Sequence, residues 1–314
     1  MEKEKKLSPL PSIKELFKQS FVVFEESILK LILVGVAFWV GIFLVTVLAG
    51  IILLVLFGGY FIGKAPIIPP VSLMVIGVII VFLYLIACFI IALTTAIAPI
   101  LIVGKSKEGI SFGQAIKKSF SYIIPFYVTN IIVALVCFGG FFVFILPAIA
   151  FSFLFIFVGY EVVLNDKRFF GAIRRSVLVV SRRFGQIFVR VFIFFIAYLF
   201  LVGVIPSLLG SSESGNVFAT IFIVLINFVV GYFSLCYYVT LYKQARVGLE
   251  EEKAGSYWWI WVVAVLGWMI FFALIFIVST LIVGLIQQAG PSLLQNLENV
   301  PSIDSDAFQQ IEGI

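Results

Sequence analysis

The feature that most constrains this chain is its series of long apolar runs that show no alternation of polarity. A helix needs roughly 20 consecutive apolar residues to cross the hydrocarbon core of a bilayer, whereas a barrel strand needs about 10 with polar and apolar residues alternating. The runs here reach the first length and lack the second pattern. Composition points the same way: 63% of residues are hydrophobic and 12% charged, where a soluble domain carries about 25% charged. The expected fold is therefore an all-α integral membrane protein of about seven transmembrane helices. The spans are placed near 31–57, 72–103, 123–143, 145–164, 187–209, 217–242 and 257–286.

Residues 123–164 are the hardest to divide, since near their middle Gly139, Gly140 and Pro147 are the interruptions. One helix of that length would reach about 63 Å at 1.5 Å per residue, roughly twice the hydrocarbon thickness. A tight hairpin is the better division, and charge supports it. Lysine and arginine collect in cytoplasmic loops during insertion. With the hairpin, of 21 lysines and arginines all but Lys64 fall on one side, in the N-terminal segment and the 104–122, 165–190 and 243–256 loops. Without it, the basic set of 167–190 would cross to the other side. The expected location is the cytoplasmic membrane, multi-pass, with the N-terminus cytoplasmic and the C-terminus exterior. Expected divisions are a cytoplasmic tail 1–11, a membrane domain 12–286 and an exterior acidic tail 287–314. No early short apolar core with a cleavage site is present, so no signal peptide is expected.

Three segments resemble one another: "SIKELFKQSF" from Ser12, "SFGQAIKKSF" from Ser111 and "RFFGAIRRSV" from Arg168. Aligned, they superpose Ser20, Ser119 and Ser176. They also superpose the bases Lys18, Lys117 and Arg174, and the apolar Phe17, Ile116 and Ile173. Ser12 with Glu15, and Ser111 with Gln114, have the spacing of capping boxes, a helix start signal. Each segment is expected to be a short amphipathic helix in the headgroup layer, base side outward, followed by a pair of spans. The expected organisation is three such repeats, 12–103, 111–164 and 168–242, with a seventh span at 257–286.

The run "FVGYEVVLNDKRFFGAIRRSVLVVSRRFGQIFVRVFI", residues 157–193, resembles a group of prokaryotic membrane proteins that includes the membrane domain preceding the catalytic domain of some glycerophosphodiester phosphodiesterases. The resemblance covers about 10–245. Its pattern is a span ending in glutamate, a turn, then an A-x-x-R-S helix, matched here by Glu161, Ala172, Arg174 or Arg175, and Ser176. It implies a membrane module without an established reaction. This sequence departs from those enzymes in having no room for their catalytic domain and no histidine at all, which removes paired-histidine chemistry.

Catalysis is not expected. Histidine, the commonest general base and neutral metal ligand, is absent, and nucleophile, metal and nucleotide motifs are missing. Cys88, Cys137 and Cys236 lie scattered in apolar runs without disulfide or metal spacing. No cofactor is expected. Nucleic acid is excluded as a partner because the basic residues hug span ends and form no free basic domain. Expected partners are membrane lipids with anionic headgroups on the cytoplasmic leaflet, contacted by Lys117, Lys118, Arg174, Arg175, Arg182 and Arg183, at about 1 kcal/mol per base. The sequence singles out no protein partner.

An ionisable group at membrane depth is costly and marks a site by default. Glu161 is the acidic residue placed within the spans. It is expected to form an ion pair with Arg190 or Arg174 and so to clamp the helix 169–185. Asn130 and Asn227 are the candidates for a polar cavity, the feature a small-solute transporter or channel component would need. The leading expectation is a non-catalytic membrane module, lipid-interacting or membrane-organising, with a transporter or channel component as the alternative.

Overall fold

The computed structural model of the protein describes residues 9–61, 71–204, 207, 217–250 and 252–298. Among these there is no strand. The helices are α1 (Ile13–Phe61), α2 (Val71–Gly104), α3 (Phe112–Val143), α4 (Ile145–Leu154), α5 (Val158–Asn165), α6 (Phe170–Arg182), α7 (Phe184–Leu199), α8 (Val217–Arg246) and α9 (Trp258–Glu298). A π-helical turn, Phe200–Val204, extends α7. Seven segments are long and apolar enough to cross a membrane: Ile13–Gly58, Val71–Gly104, Phe112–Val143, Ile145–Asn165, Phe184–Val204, Thr220–Arg246 and Trp258–Gln287. The chain is thus a multi-pass helical membrane protein, and every expected span overlaps one of them; 205, 206, 208 and 209, at the end of the expected span 187–209, lie outside the described residues. Lys64, the loop 210–216, residues 1–8 and the tail from 299 onward lie outside the described residues.

The hairpin expected within 123–164 is present. The break falls at Phe144. A Cβ placed on Gly140 would meet the Phe151 ring at 2.8 Å and the Ala148 nitrogen at 3.5 Å. Those residues would be far along the axis of a continuous helix, so the chain has folded back. Pro147 sits in the first turn of α4, where its missing N–H removes no ladder bond and its ring discourages helix just before it.

Two compact units divide the chain. The smaller comprises 135–151 and 258–314. Within it the hairpin meets α9 at glycines: a Cβ on Gly267 would run into the Gly139 carbonyl oxygen, and one on Gly139 into Ala264. Small residues allow this approach, the usual basis of helix packing in lipid. Around them Phe138 packs on Trp268 at 5.0 Å and Phe142 on Phe271 at 4.7 Å between ring centres. Trp268 Nε1 donates to the Leu135 carbonyl at 3.1 Å.

The larger unit, 1–134 and 152–257, is packed tightly at one end. Buried residues of α1 are Leu16, Ser20, Ser27, Leu31 and Val34, all in its first half; those of α2, Gly77 apart, are Thr94 and 97–103, and those of α8 lie within 236–245. The opposite ends of α1 and α2 expose Phe43, Leu48, Val55, Val78 and Phe82, as suits helices whose solvent is lipid.

Two details differ from expectation. The segments starting at Ser12 and Ser111 are not separate helices lying in the headgroup layer. Both serines cap, with the Glu15 and Gln114 N–H groups on Ser12 and Ser111 Oγ at 3.2 and 3.3 Å, and Gln114 Oε1 completes the box on the Ser111 N–H at 3.1 Å, but α1 and α3 then run unbroken into their spans. No glycine or proline separates segment from span in α1. Proline does occur in α3, but Thr129 Oγ1 donates to the Pro125 carbonyl at 2.6 Å and the helix continues. Only the third segment forms a helix of its own, α6, and its apolar residues Ile173, Val177, Leu178, Val179 and Val180 are buried in protein rather than turned to lipid. Secondly, the expected tail at 287 is still helix as far as Glu298.

Candidate functional site

The site lies at the packed end of the larger unit, where the C-terminal ends of α2, α5 and α8 come together. The fourth span does not arrive there as a continuous helix. It breaks at Phe155–Phe157, and the carbonyl of Leu154 left over by the break accepts a hydrogen bond from Ser176 Oγ of α6 at 2.8 Å. The short α5 then carries Glu161 and Asn165 one turn apart, on one face of the helix. It ends at Asp166 in the left-handed conformation (φ 54°), whose N–H, with that of Lys167, returns to the Glu161 backbone carbonyl. Tyr122 donates to Asp166 Oδ1 at 2.6 Å. Phe169, also at positive φ (48°), is held through its N–H by Thr129 Oγ1 at 3.1 Å. These contacts fix the turn from α5 into α6.

Glu161 is 0% exposed. Its Oε2 accepts from Asn165 Nδ2 at 3.3 Å, the Tyr242 hydroxyl lies beside the carboxylate, and Oε1 has no hydrogen-bond partner among the described residues. Asn165 links the group outward: its Nδ2 also donates to the Tyr242 hydroxyl, and its Oδ1 accepts from Arg246 Nη1. The cations acting on Glu161 are Arg246, Arg175 and Lys167. The expected partners are elsewhere. Arg190 donates to the carbonyls of Leu10, Pro11 and Gln186, strapping the N-terminal segment onto α7, and Arg174 faces outward, exposed. The reason is geometric. Arg246 ends α8 beside the end of α5, whereas Arg190 lies a full turn inside α7, next to Leu10 and Pro11.

The arginines of α6 divide in the same way. Arg175 and Arg183, expected on lipid, are 6% and 5% exposed. Arg175 donates through Nη1 to the Glu252 carbonyl at 2.6 Å and through Nη2 to that of Leu249; Arg183 Nη2 donates to the Val247 carbonyl at 2.8 Å. A helix end leaves four carbonyls without partners, and after α8 these arginines take up the chain that follows it. Arg182 pairs with the Glu252 side chain. Lys117, Lys118 and Arg174 remain exposed. Asn130 and Asn227 do not meet in a polar cavity. Each donates to a carbonyl of its own helix, Phe126 at 2.8 Å and Ile223 at 3.0 Å.

A polar cavity does exist, in a place the sequence did not single out. Its volume is about 290 Å³, and its walls include Lys105 and Glu108 after α2, Asn165 of α5, and Tyr242, Lys243 and Arg246 of α8 with Glu250 beyond. Lys105 Nζ lies 3.1 Å from Glu108 Oε2. The cavity and the Glu161 cluster share Asn165, Tyr242 and Arg246. Spacing could have found part of this: Asn165 stands four residues after Glu161, and Arg246 ends the sixth span on the side where Glu161 ends the fourth.

Compared with known protein families, with curated proteins and with solved structures, the chain gives no match.

Proposed function

We propose that this protein is a non-catalytic membrane module whose basic end lies against the cytoplasmic leaflet of the cell membrane and holds anionic lipid there. One observation carries the reading. Every lysine and arginine among the described residues belongs to the packed end of the larger unit, on segments that touch one another: Arg190 on Pro11, Lys30 on the Ile110 carbonyl, Arg175 on Leu249. Positive charge retained on the cytoplasmic side during insertion sets the orientation, and the same charge attracts anionic headgroups.

The threefold repeat belongs to this proposal. Ser20, Ser119 and Ser176 are each fully buried, the residues four before them, Leu16, Ala115 and Ala172, are too, and the bases two before them are exposed. A common register of this kind presents Lys18, Lys117 and Arg174 outward at equivalent positions. The resemblance of 157–193 to the membrane domain preceding phosphodiesterase catalytic domains fits a module that organises lipid for chemistry done elsewhere. The test is native mass spectrometry of lipid retention after Lys117, Lys118 and Arg174 are changed together to Gln. A drop in bound anionic lipid is expected, and unchanged retention would end the proposal.

A second reading, a transporter component, is favoured by the broken fourth span with a buried carboxylate just beyond the break, a combination that transport sites employ. In proteoliposomes the first reading expects Glu161→Gln to leave ion and proton flux at the level of empty vesicles. A flux that the wild type supports and Glu161→Gln abolishes would establish the second.

A further inference from the structure

The cavity at the ends of α2, α5 and α8 has the makings of a discrete binding site, distinct from the exposed basic surface. Its charged walls bear one more positive than negative charge, with Lys105, Lys243 and Arg246 set against Glu108 and Glu250. Lys105 is already engaged by Glu108. Lys243 is exposed and hydrogen-bonds to no group among the described residues, and both Lys107 and Glu108 act on its charge from nearby. Arg246 is oriented by Asn165 through Nη1, while its Nε is buried without a partner among the described residues. Two cations, Lys243 and Arg246, thus line a space of about 290 Å³ at the level where three spans end, in addition to the Lys105 that Glu108 engages.

We infer that this cavity binds a singly charged phosphodiester whose substituent carries hydrogen-bond donors, the chemistry of a glycerol- or ethanolamine-type headgroup. Lys243 and Arg246 meet the phosphate oxygens, as ammonium and guanidinium groups do with charge-assisted hydrogen bonds. Glu250, an exposed carboxylate on the same wall, accepts from the hydroxyl or ammonium of the substituent. A dianionic phosphate is disfavoured there, because the wall has one excess positive charge and two carboxylates. The inference rests on the lipid-module reading for its setting but not for its residues, which are different from Lys117, Lys118 and Arg174.

The experiment uses the full chain in nanodiscs of phosphatidylglycerol, phosphatidylethanolamine or phosphatidylcholine, followed by delipidation and native mass spectrometry. One tightly held phosphatidylglycerol or phosphatidylethanolamine per chain is expected, and phosphatidylcholine, whose headgroup has no donor, is expected to be lost. Lys243→Gln should weaken retention roughly fivefold, the effect of about one base on an anionic lipid, and Glu250→Gln should remove the preference over phosphatidylcholine. Melting curves of both variants, whose side chains are exposed, should match the wild type. Competition with glycerophosphoglycerol and with inorganic phosphate separates the sources: displacement by the first alone assigns a soluble phosphodiester, and displacement by neither assigns the membrane lipid. Displacement by inorganic phosphate at equal concentration, retention of phosphatidylcholine equal to that of phosphatidylglycerol, or retention unaffected by Lys243→Gln would each overturn the inference. Loss of retention only in the Lys117, Lys118 and Arg174 variant would leave the surface reading standing and this site refuted.

Discussion

Arg174 and Arg175 are neighbours in sequence with opposite surroundings, so substituting each by Gln separates two roles of the basic residues. Arg174 is exposed, whereas Arg175 is 6% exposed and donates to the carbonyls of Leu249 and Glu252. A hydrogen bond from a charged group is worth about 1.5–3 kcal/mol, so two give about 3–6 kcal/mol. Glutamine is too short to reach either carbonyl. Part of the loss returns if the freed carbonyls find water. A net cost of about 3 kcal/mol is expected for Arg175→Gln, against less than about 0.5 kcal/mol for Arg174→Gln. Thermal unfolding of the purified protein in detergent, followed by circular dichroism at the helical band, reads both. The expected result is a midpoint roughly 5–10 °C lower for Arg175→Gln and unchanged for Arg174→Gln, with lipid retention falling only in the latter. Equal destabilisation by the two, or an Arg175→Gln protein that melts normally but sheds lipid, would refute the assignment of Arg175 to the protein interior.

Further outcomes follow from the same contacts. Ser176→Ala should cost about 1–2 kcal/mol, since it strands the Leu154 carbonyl at the break in the fourth span. Ser20→Ala and Ser119→Ala should stay within about 0.5 kcal/mol, because those hydroxyls bond Leu16 and Ala115 carbonyls of their own helices; denaturant titration of the three variants gives the order. Gly267→Val should drive a side chain into the Gly139 carbonyl and cost at least the 1–3 kcal/mol typical of overpacking. The emission of Trp268, seated on Leu135, should shift in that variant and not in Gly284→Val, where a Cβ meets nothing.

The seven spans and the hairpin were legible in the sequence because both follow from length. A bilayer fixes how many apolar residues a helix needs, and residues 123–164 exceed one crossing. The exact start of α1 was not legible in the same way: Ile13–Lys30 is polar enough to end a span, yet nothing in it stops a helix, and hydropathy measures only the first property. Glu161 was identifiable as an anomaly from its type and depth. Its partners were not, because Arg190 and Arg246 both stand at span ends on the same side, and only the packing of α5 against α8 distinguishes them. The separation of Arg175 from Arg174 was hidden for a related reason. In a helix buried nearly all round, as α6 is, adjacent positions face different neighbours, and the carbonyls that claim Arg175 lie in a loop with no signature of its own.

The concentration of charge at one end also has a consequence for how that end holds together. Each C-terminal helix end carries about half a negative charge from its unsatisfied carbonyls, and the ends of α2, α5 and α8 converge on one cavity. Bringing them together is unfavourable unless cations come with them. Rules of membrane insertion place lysine and arginine at these ends for orientation, and here the same residues, Lys105, Lys243 and Arg246, offset the helix termini, while Arg175 and Arg183 occupy the carbonyls beyond α8. Glu161 adds a carboxyl group to this already negative convergence, and it does so in a buried position. Packing alone would favour an apolar residue there, because a buried carboxyl loses its hydration and must be hydrogen-bonded in exchange. Its presence draws Asn165, Tyr242 and Arg246 into one connected arrangement and fixes where the Arg246 guanidinium points, which is into the wall of the cavity. The carboxylate is therefore part of the connected arrangement that orients the Arg246 guanidinium at the cavity wall.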